Sequence, residues 1–214
     1  LQKLVHLCVR VSCEQMPCNL CERVNRRTMC YSLCVRVKRG DIVIDGHMHL
    51  ENGPLTVEYA MKYVEAGVKA GMDTIQILDH THRFLEFKPM YDNLKQASVY
   101  QKDWFEKKKL EPLQSYFNLI EEMKKMELPI AVRFGLEVCY APQDKAFLRD
   151  LLAGYPYDFL IGSIHSIDGL LYDMNGFSRE ILWDKYDTNA IYRRYYEIME
   201  DMIESDLFTQ IGHP

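Results

Sequence analysis

Apolar and polar positions along this chain alternate between short β-branched runs and amphipathic stretches. Ile42-Val43-Ile44 opens the first run, which leads into Asp45-Gly46-His47-Met48-His49. A short apolar run bounded by polar residues predicts a buried strand. Val57, Ala60, Met61, Val64 and Val68 then recur at helical spacing, with Thr56 as cap and Gly71 as stop, which predicts a helix to about residue 70. Residues 74–78 predict a second strand, running straight into Asp79-His80-Thr81-His82. From there to about Tyr100 the pattern is irregular, broken by Pro89 and several aromatics, and reads as a long loop. A basic helical piece is expected around residues 104–109 and a helix over 113–126. A third strand follows over 130–138, and a short helix from Asp144 to about 152. Residues 159–164 predict a fourth strand ending at His165, and 166–186 a second loop. A strong helix is expected over 188–203, and a fifth strand over 207–211 before Gly212-His213-Pro214.

Strands separated by helices predict an α/β fold with a parallel sheet and crossover helices, either a barrel or an open doubly wound sheet. The polar residues bear on that choice. His47 and His49, His80, Glu137, His165 and His213 each lie at or just past the carboxyl end of a different predicted strand. In a barrel those ends meet on one face. Alternate strand residues share a face, so Asp45, His47 and His49 are expected to point the same way. Two imidazoles and a carboxylate so placed suit a borderline divalent cation.

Composition narrows the class. The 214 residues are 48% hydrophobic and 27% charged, as in a soluble globular domain, and the net charge of −5 argues against a general nucleic-acid binder. No apolar run reaches membrane length and no secretory-type leader is evident, so no membrane partner and a cytoplasmic location are expected. Six of the seven cysteines fall before residue 35, in a basic segment where Leu-Cys-Val-Arg-Val occurs twice. This divides the chain into a Cys-rich leader, 1–40, expected to be disordered or non-native, and a domain, 41–214. Cys18-x-x-Cys21 with Cys30-x-x-x-Cys34 leaves a zinc module as the alternative for the leader. No Gly-rich phosphate loop and no Gly-x-Ser-x-Gly elbow is present. Cys139 reads as a buried thiol, and Lys107-Lys108-Lys109 as a solvated helix end.

A His-rich cluster with a carboxylate able to bridge suits two or three divalent ions, Zn, Mn or Fe, and an anionic substrate. The motifs Asp45-x-His47-x-His49, Asp79-His80, Leu136-Glu137, Ser163-Ile164-His165 and Gly212-His213-Pro214, in this order, resemble those of the PHP (polymerase and histidinol phosphatase) family, over residues 41–214. Within the family the likeness is to the histidinol-phosphatase branch. The resemblance implies a distorted (β/α)7 TIM-like barrel, of which this chain would hold the first five βα units. It also implies a metal-dependent phosphomonoesterase acting on a small phosphorylated substrate, L-histidinol phosphate in histidine biosynthesis, by attack of a metal-bridging hydroxide. His47 and His49 would bind a first metal, Glu137 would bridge to a second held by His165 and His213, and His80 would bind a third. Asp45 would orient an imidazole. His82 and Arg83 are weaker candidates, to face the leaving group and the phosphate. Two departures stand out. No His follows His49 closely, so Glu51 would have to substitute at the third metal. No Asp-x-His of the last family strand is present, so the chain is expected to be a fragment with an exposed sheet edge. The alternatives are another phosphoesterase of the family, an amidohydrolase-type metal hydrolase, or an inactive fragment. Oligomeric state is not legible.

Overall fold

A computed structural model describes residues 6–7, 42–51 and 53–213; the cysteine pairs of the leader lie outside the described residues. The apolar runs become strands: β1 (His6–Leu7), β2 (Ile44–His49), β3 (Thr74–Leu78), β4 (Ala131–Cys139) and β5 (Phe159–Ser163). A two-stranded antiparallel hairpin, β6 (Ser166–Ile167) and β7 (Leu170–Leu171), follows, and β8 is Gln210–Ile211. The main sheet has the order β1-β8-β5-β4-β3-β2, parallel throughout.

Helices fill the crossovers: α1 (Val57–Ala70), α2 (Asp92–Ala97), α3 (Val99–Glu106), α4 (Leu113–Lys124), α5 (Lys145–Ala153) and α6 (Thr188–Glu204). The ends of α1 are those its residues dictate. Thr56 Oγ1 accepts the Tyr59 amide at 3.3 Å, and Gly71, at φ 75°, turns the chain out in a conformation that a side chain would disfavour. Two expected loops are structured instead. Residues 81–106 form 3₁₀ turns over Thr81–Arg83 and Leu85–Tyr91, then α2 and α3. Pro89 is accommodated because a short 3₁₀ turn needs few internal amides. The second loop contains the β6–β7 hairpin, turned at Asp168 and Gly169 with φ 48° and 85°, and a π-helical turn at Arg179–Trp183. The fifth strand is shorter than expected because Leu207 and Phe208 pack onto the apolar core instead of extending the ladder.

The sheet curls. Gln210 Nε2 on β8 donates to Gln76 Oε1 on β3 at 3.1 Å, although β5 and β4 lie between them. Three inter-strand steps of ~4.8 Å would hold those strands ~14 Å apart in a flat sheet. The five parallel strands β2, β3, β4, β5 and β8 therefore form a curled half-barrel. Its outer face carries the main core, with Ile75, Ile77, Phe134, Leu136 and Val138 under the helices. Its inner face carries a small separate cluster of Leu78, Phe159 and Ile161. Gly135 makes this curvature possible: a Cβ there would lie 2.4 Å from the Phe159 carbonyl.

Candidate metal centre

The carboxyl ends of the strands converge on Glu137, which β4 carries in the middle of the sheet with a relative exposure of 1%. Its Oε2 lies 2.8 Å from His47 Nε2, 3.0 Å from His49 Nε2 and 3.2 Å from His80 Nε2. Its Oε1 lies 3.1 Å from His165 Nε2 and 3.0 Å from His213 Nε2. β2 supplies two of these imidazoles, and the ends of β3, β5 and β8 supply one each. A carboxylate offers about four lone-pair directions, so five imidazole nitrogens exceed what hydrogen bonding to it can satisfy. Two ligand atoms on one tetrahedral zinc, each ~2.1 Å from it, stand ~3.4 Å apart, close to the spacings seen here. His49 Nδ1 is buried without a hydrogen-bond partner. The donor set therefore fits divalent cations. His49, Glu51, Asp79 and His80 form one potential metal-holding group, His47, His49 and Glu137 a second, and His80, Glu137 and His165 a third.

The electrostatics differ across the cluster: His49 is held down, whereas His165, although burial works to lower it, is held well above its ordinary value by Cys139, Asp173 and Glu137. Burial works to raise Glu137, but His80 and the other imidazoles hold its carboxyl well below the usual range. Burial and the neighbouring His80 take His49 down to about 4, and burial together with His80 and Lys108 takes His82 well below its ordinary value. Both rings are therefore neutral at physiological pH, the state in which imidazole binds a metal. Glu51 Oε2 makes a short contact with His80 Nδ1 and stands 3.9 Å from His49 Nδ1, so the stretch after His49 does return a carboxylate to the cluster.

The structure brings His47, His49, His80, His165 and His213 around Glu137, and gives Asp45, Arg83 and His82 the following partners. Asp45 is in register with Ile75 and Met48 with Ile77, so one extra residue of β2 interrupts the alternation. Asp45 therefore does not share the face of His47 and His49, as strict alternation predicts; its Oδ1 accepts the His47 amide at 3.3 Å. The Arg83 guanidinium donates to Asp79 Oδ2 at 2.6 Å, to Glu111 Oε1 at 2.7 Å and to the Gly53 carbonyl at 2.7 Å. Burial pushes the Asp79 carboxyl up to about 7 against the pull of Arg83. His82 packs beside His80 and accepts from Lys108 Nζ at 2.8 Å. Lys108 is thus not the solvated helix end that its neighbours suggest. Asp173 is a residue that the pattern did not reveal: its Oδ2 lies 3.2 Å from His165 Nδ1 and fixes which face of that ring meets Glu137. Cys139 is a free thiol, pushed up by burial. Among the described residues no helix is long and apolar enough to cross a membrane.

A family model described as the PHP domain matches residues 45–214. A probable histidinol-phosphatase from Deinococcus radiodurans is 28% identical over 173 residues, covering 79% of this chain and 59% of the relative. The crystal structure of histidinol phosphate phosphatase from Lactococcus lactis, complexed with Zn, L-histidinol and phosphate, superposes with a TM-score of 0.51 at 19% identity. That match covers 79% of this chain and 57% of that one, and shows the shared fold. The chain thus spans a little under three-fifths of the length of both proteins.

Proposed function

Because this chain belongs to the PHP domain family, we propose that it is a metal-dependent phosphomonoesterase whose substrate is L-histidinol phosphate, acting in the cytoplasm in histidine biosynthesis. The observation that carries the chemistry is Glu137, one buried carboxylate with five imidazole nitrogens around its two oxygens. The substrate rests on the relatives, one named probable histidinol-phosphatase and one solved with L-histidinol and phosphate.

His47 and His49 would hold one ion on the Oε2 side of Glu137, and His165 and His213 a second on the Oε1 side. His80 with Glu51 would hold a third. Zn, Mn or Fe suits this nitrogen-rich set. Such ions, when bound, lower the pKa of water and stabilise charge on a transferred phosphoryl group. The protein's own residues supply the geometry. Asp173 holds His165 in one orientation, Arg83 ties Asp79 and the Gly53 turn behind the cluster, and the Asp45 carboxylate braces the His47 backbone. His82 is held neutral and accepts a hydrogen bond from Lys108, which fixes its ring beside His80.

The test is a metal count on the full chain, with phosphate release from L-histidinol phosphate measured beside a panel of other monoesters. Two or more equivalents, lost together in His47→Ala and Glu137→Ala, with turnover fastest on L-histidinol phosphate, are expected. A folded, metal-free chain would overturn the reading. Faster turnover of another monoester would overturn the substrate alone.

A further inference from the structure

We propose that Lys108 is the anion-binding residue of this site, the cation that receives the phosphoryl oxygens of a phosphate monoester on the Glu51–His82 side of the cluster. This rests on the phosphomonoesterase reading and goes beyond it by naming the charge that the substrate's dianion meets. Among the described residues, Arg83 and Lys108 are cations near the cluster, and they differ in what they are free to do. Arg83 is spent: a carboxylate on either side and a backbone carbonyl take its donors. Lys108 is half-buried just past the end of α3; Glu51, Cys139 and Asp79 attract its charge from a distance, but none of them pairs with it directly. Its Nζ donates to the neutral His82 Nε2 at 2.8 Å and stands 4.5 Å above the Trp104 ring. Among the described residues no carboxylate is within ion-pair distance of it.

That arrangement is what an anion site needs. An ammonium has three donors, and His82 takes one. The indole face holds the ammonium beside His82 without neutralising it, and the edge-on contact between Trp104 and His82 at 5.4 Å fixes the pair together. His82 in turn stacks on His80 at 4.8 Å and lies 3.9 Å from Glu51, so Lys108 adjoins the group His49, Glu51, Asp79 and His80. Burial also lowers the Lys108 pKa, as expected of a cation whose counter-charge comes with a ligand. Lys107 and Lys109 on either side are exposed.

The proposal is tested on the metal-loaded full chain with inorganic phosphate as the probe, by calorimetric titration and by Trp104 emission. Lys108→Met and Lys108→Gln are each expected to weaken phosphate binding by at least about tenfold, as loss of a charged hydrogen bond implies. KM for the monoester should rise by a similar factor, metal content should stay at the wild-type level, and Lys108→Arg should recover most of the affinity. Phosphate affinity within about twofold of wild type in both neutral variants, at equal metal content, would overturn the assignment of Lys108 alone. So would a loss confined to kcat or to metal content, which would make Lys108 only a prop for His82. A wild-type chain that is metal-loaded yet neither binds phosphate nor releases it would overturn this proposal and the phosphomonoesterase reading together.

Discussion

The outer and inner faces of the half-barrel are made by the same strands, residue by residue in alternation, and they are built for different ends. On β4, Phe134, Leu136 and Val138 point outward into a core closed by helices. Gly135 and Glu137 point inward, toward a cluster of only Leu78, Phe159 and Ile161 and a ring of imidazoles. The outer face gains stability from apolar burial. The inner face concentrates polar groups that are costly to bury unless something charged joins them. One strand thus carries the fold on its even positions and the chemistry on its odd ones.

That contrast breaks most sharply at Glu137. Glu137→Gln is expected to abolish binding of at least one ion and to lower phosphate release by more than about a thousandfold, while thermal unfolding of the metal-free chain stays near wild type. Metal analysis and calorimetry on one sample would check both halves. The neighbouring residue should do the reverse. Leu136→Ala removes a fully buried side chain and is expected to cost about 2–5 kcal/mol in denaturant unfolding, with the metal content of the folded fraction unchanged. A smaller effect on the inner face is expected for Asp173→Asn, which leaves every imidazole in place but loosens His165. Affinity for the ion on that side should fall about 10–100-fold, measured by competition with a chelator.

The smallest effect lies at the rim. Asp144 borders a small cleft that also touches His165, and burial pushes its carboxyl up to about 6. An acid with a raised folded pKa favours folding when protonated, so its contribution declines as pH rises from its ordinary value toward about 6 and stays low above that. Asp144→Asn should therefore raise Tm slightly at pH 8, and the gain should vanish below about pH 4. Tm differences between variant and wild type across that range would show it.

Most of this division was legible in the amino-acid order. β3 and α1 fall where their apolar periods predict, and the imidazoles are legible because each one terminates a strand-like run. Three features besides Asp173 were not. The extra residue in β2 that turns Asp45 away depends on pairing with Ile75 and Ile77, which local pattern does not contain. Arg83 looks like a phosphate ligand beside His82, but Glu111 and Gly53, distant in sequence, take up its guanidinium. Lys108 sits in a run of three lysines and reads as solvent-facing. It reaches His82 across 26 residues only because the stretch between them, irregular by pattern, coils into short helical turns.

The placement of Glu137 on the middle strand also has a consequence for how the molecule comes together. It stands 90 residues after His47 and 76 before His213, and His80 and His165 come from βα units of their own. Closing contacts over such spans is slow, because chain entropy is lost before the contacts reward it. In a nascent or unfolded chain the imidazoles of this cluster offer an ion only local pairs such as His47-x-His49, weak chelates. The complete donor set exists only once every strand has found its neighbour. Ion uptake therefore reports the last step of folding, and the free energy of binding accrues to the finished chain alone.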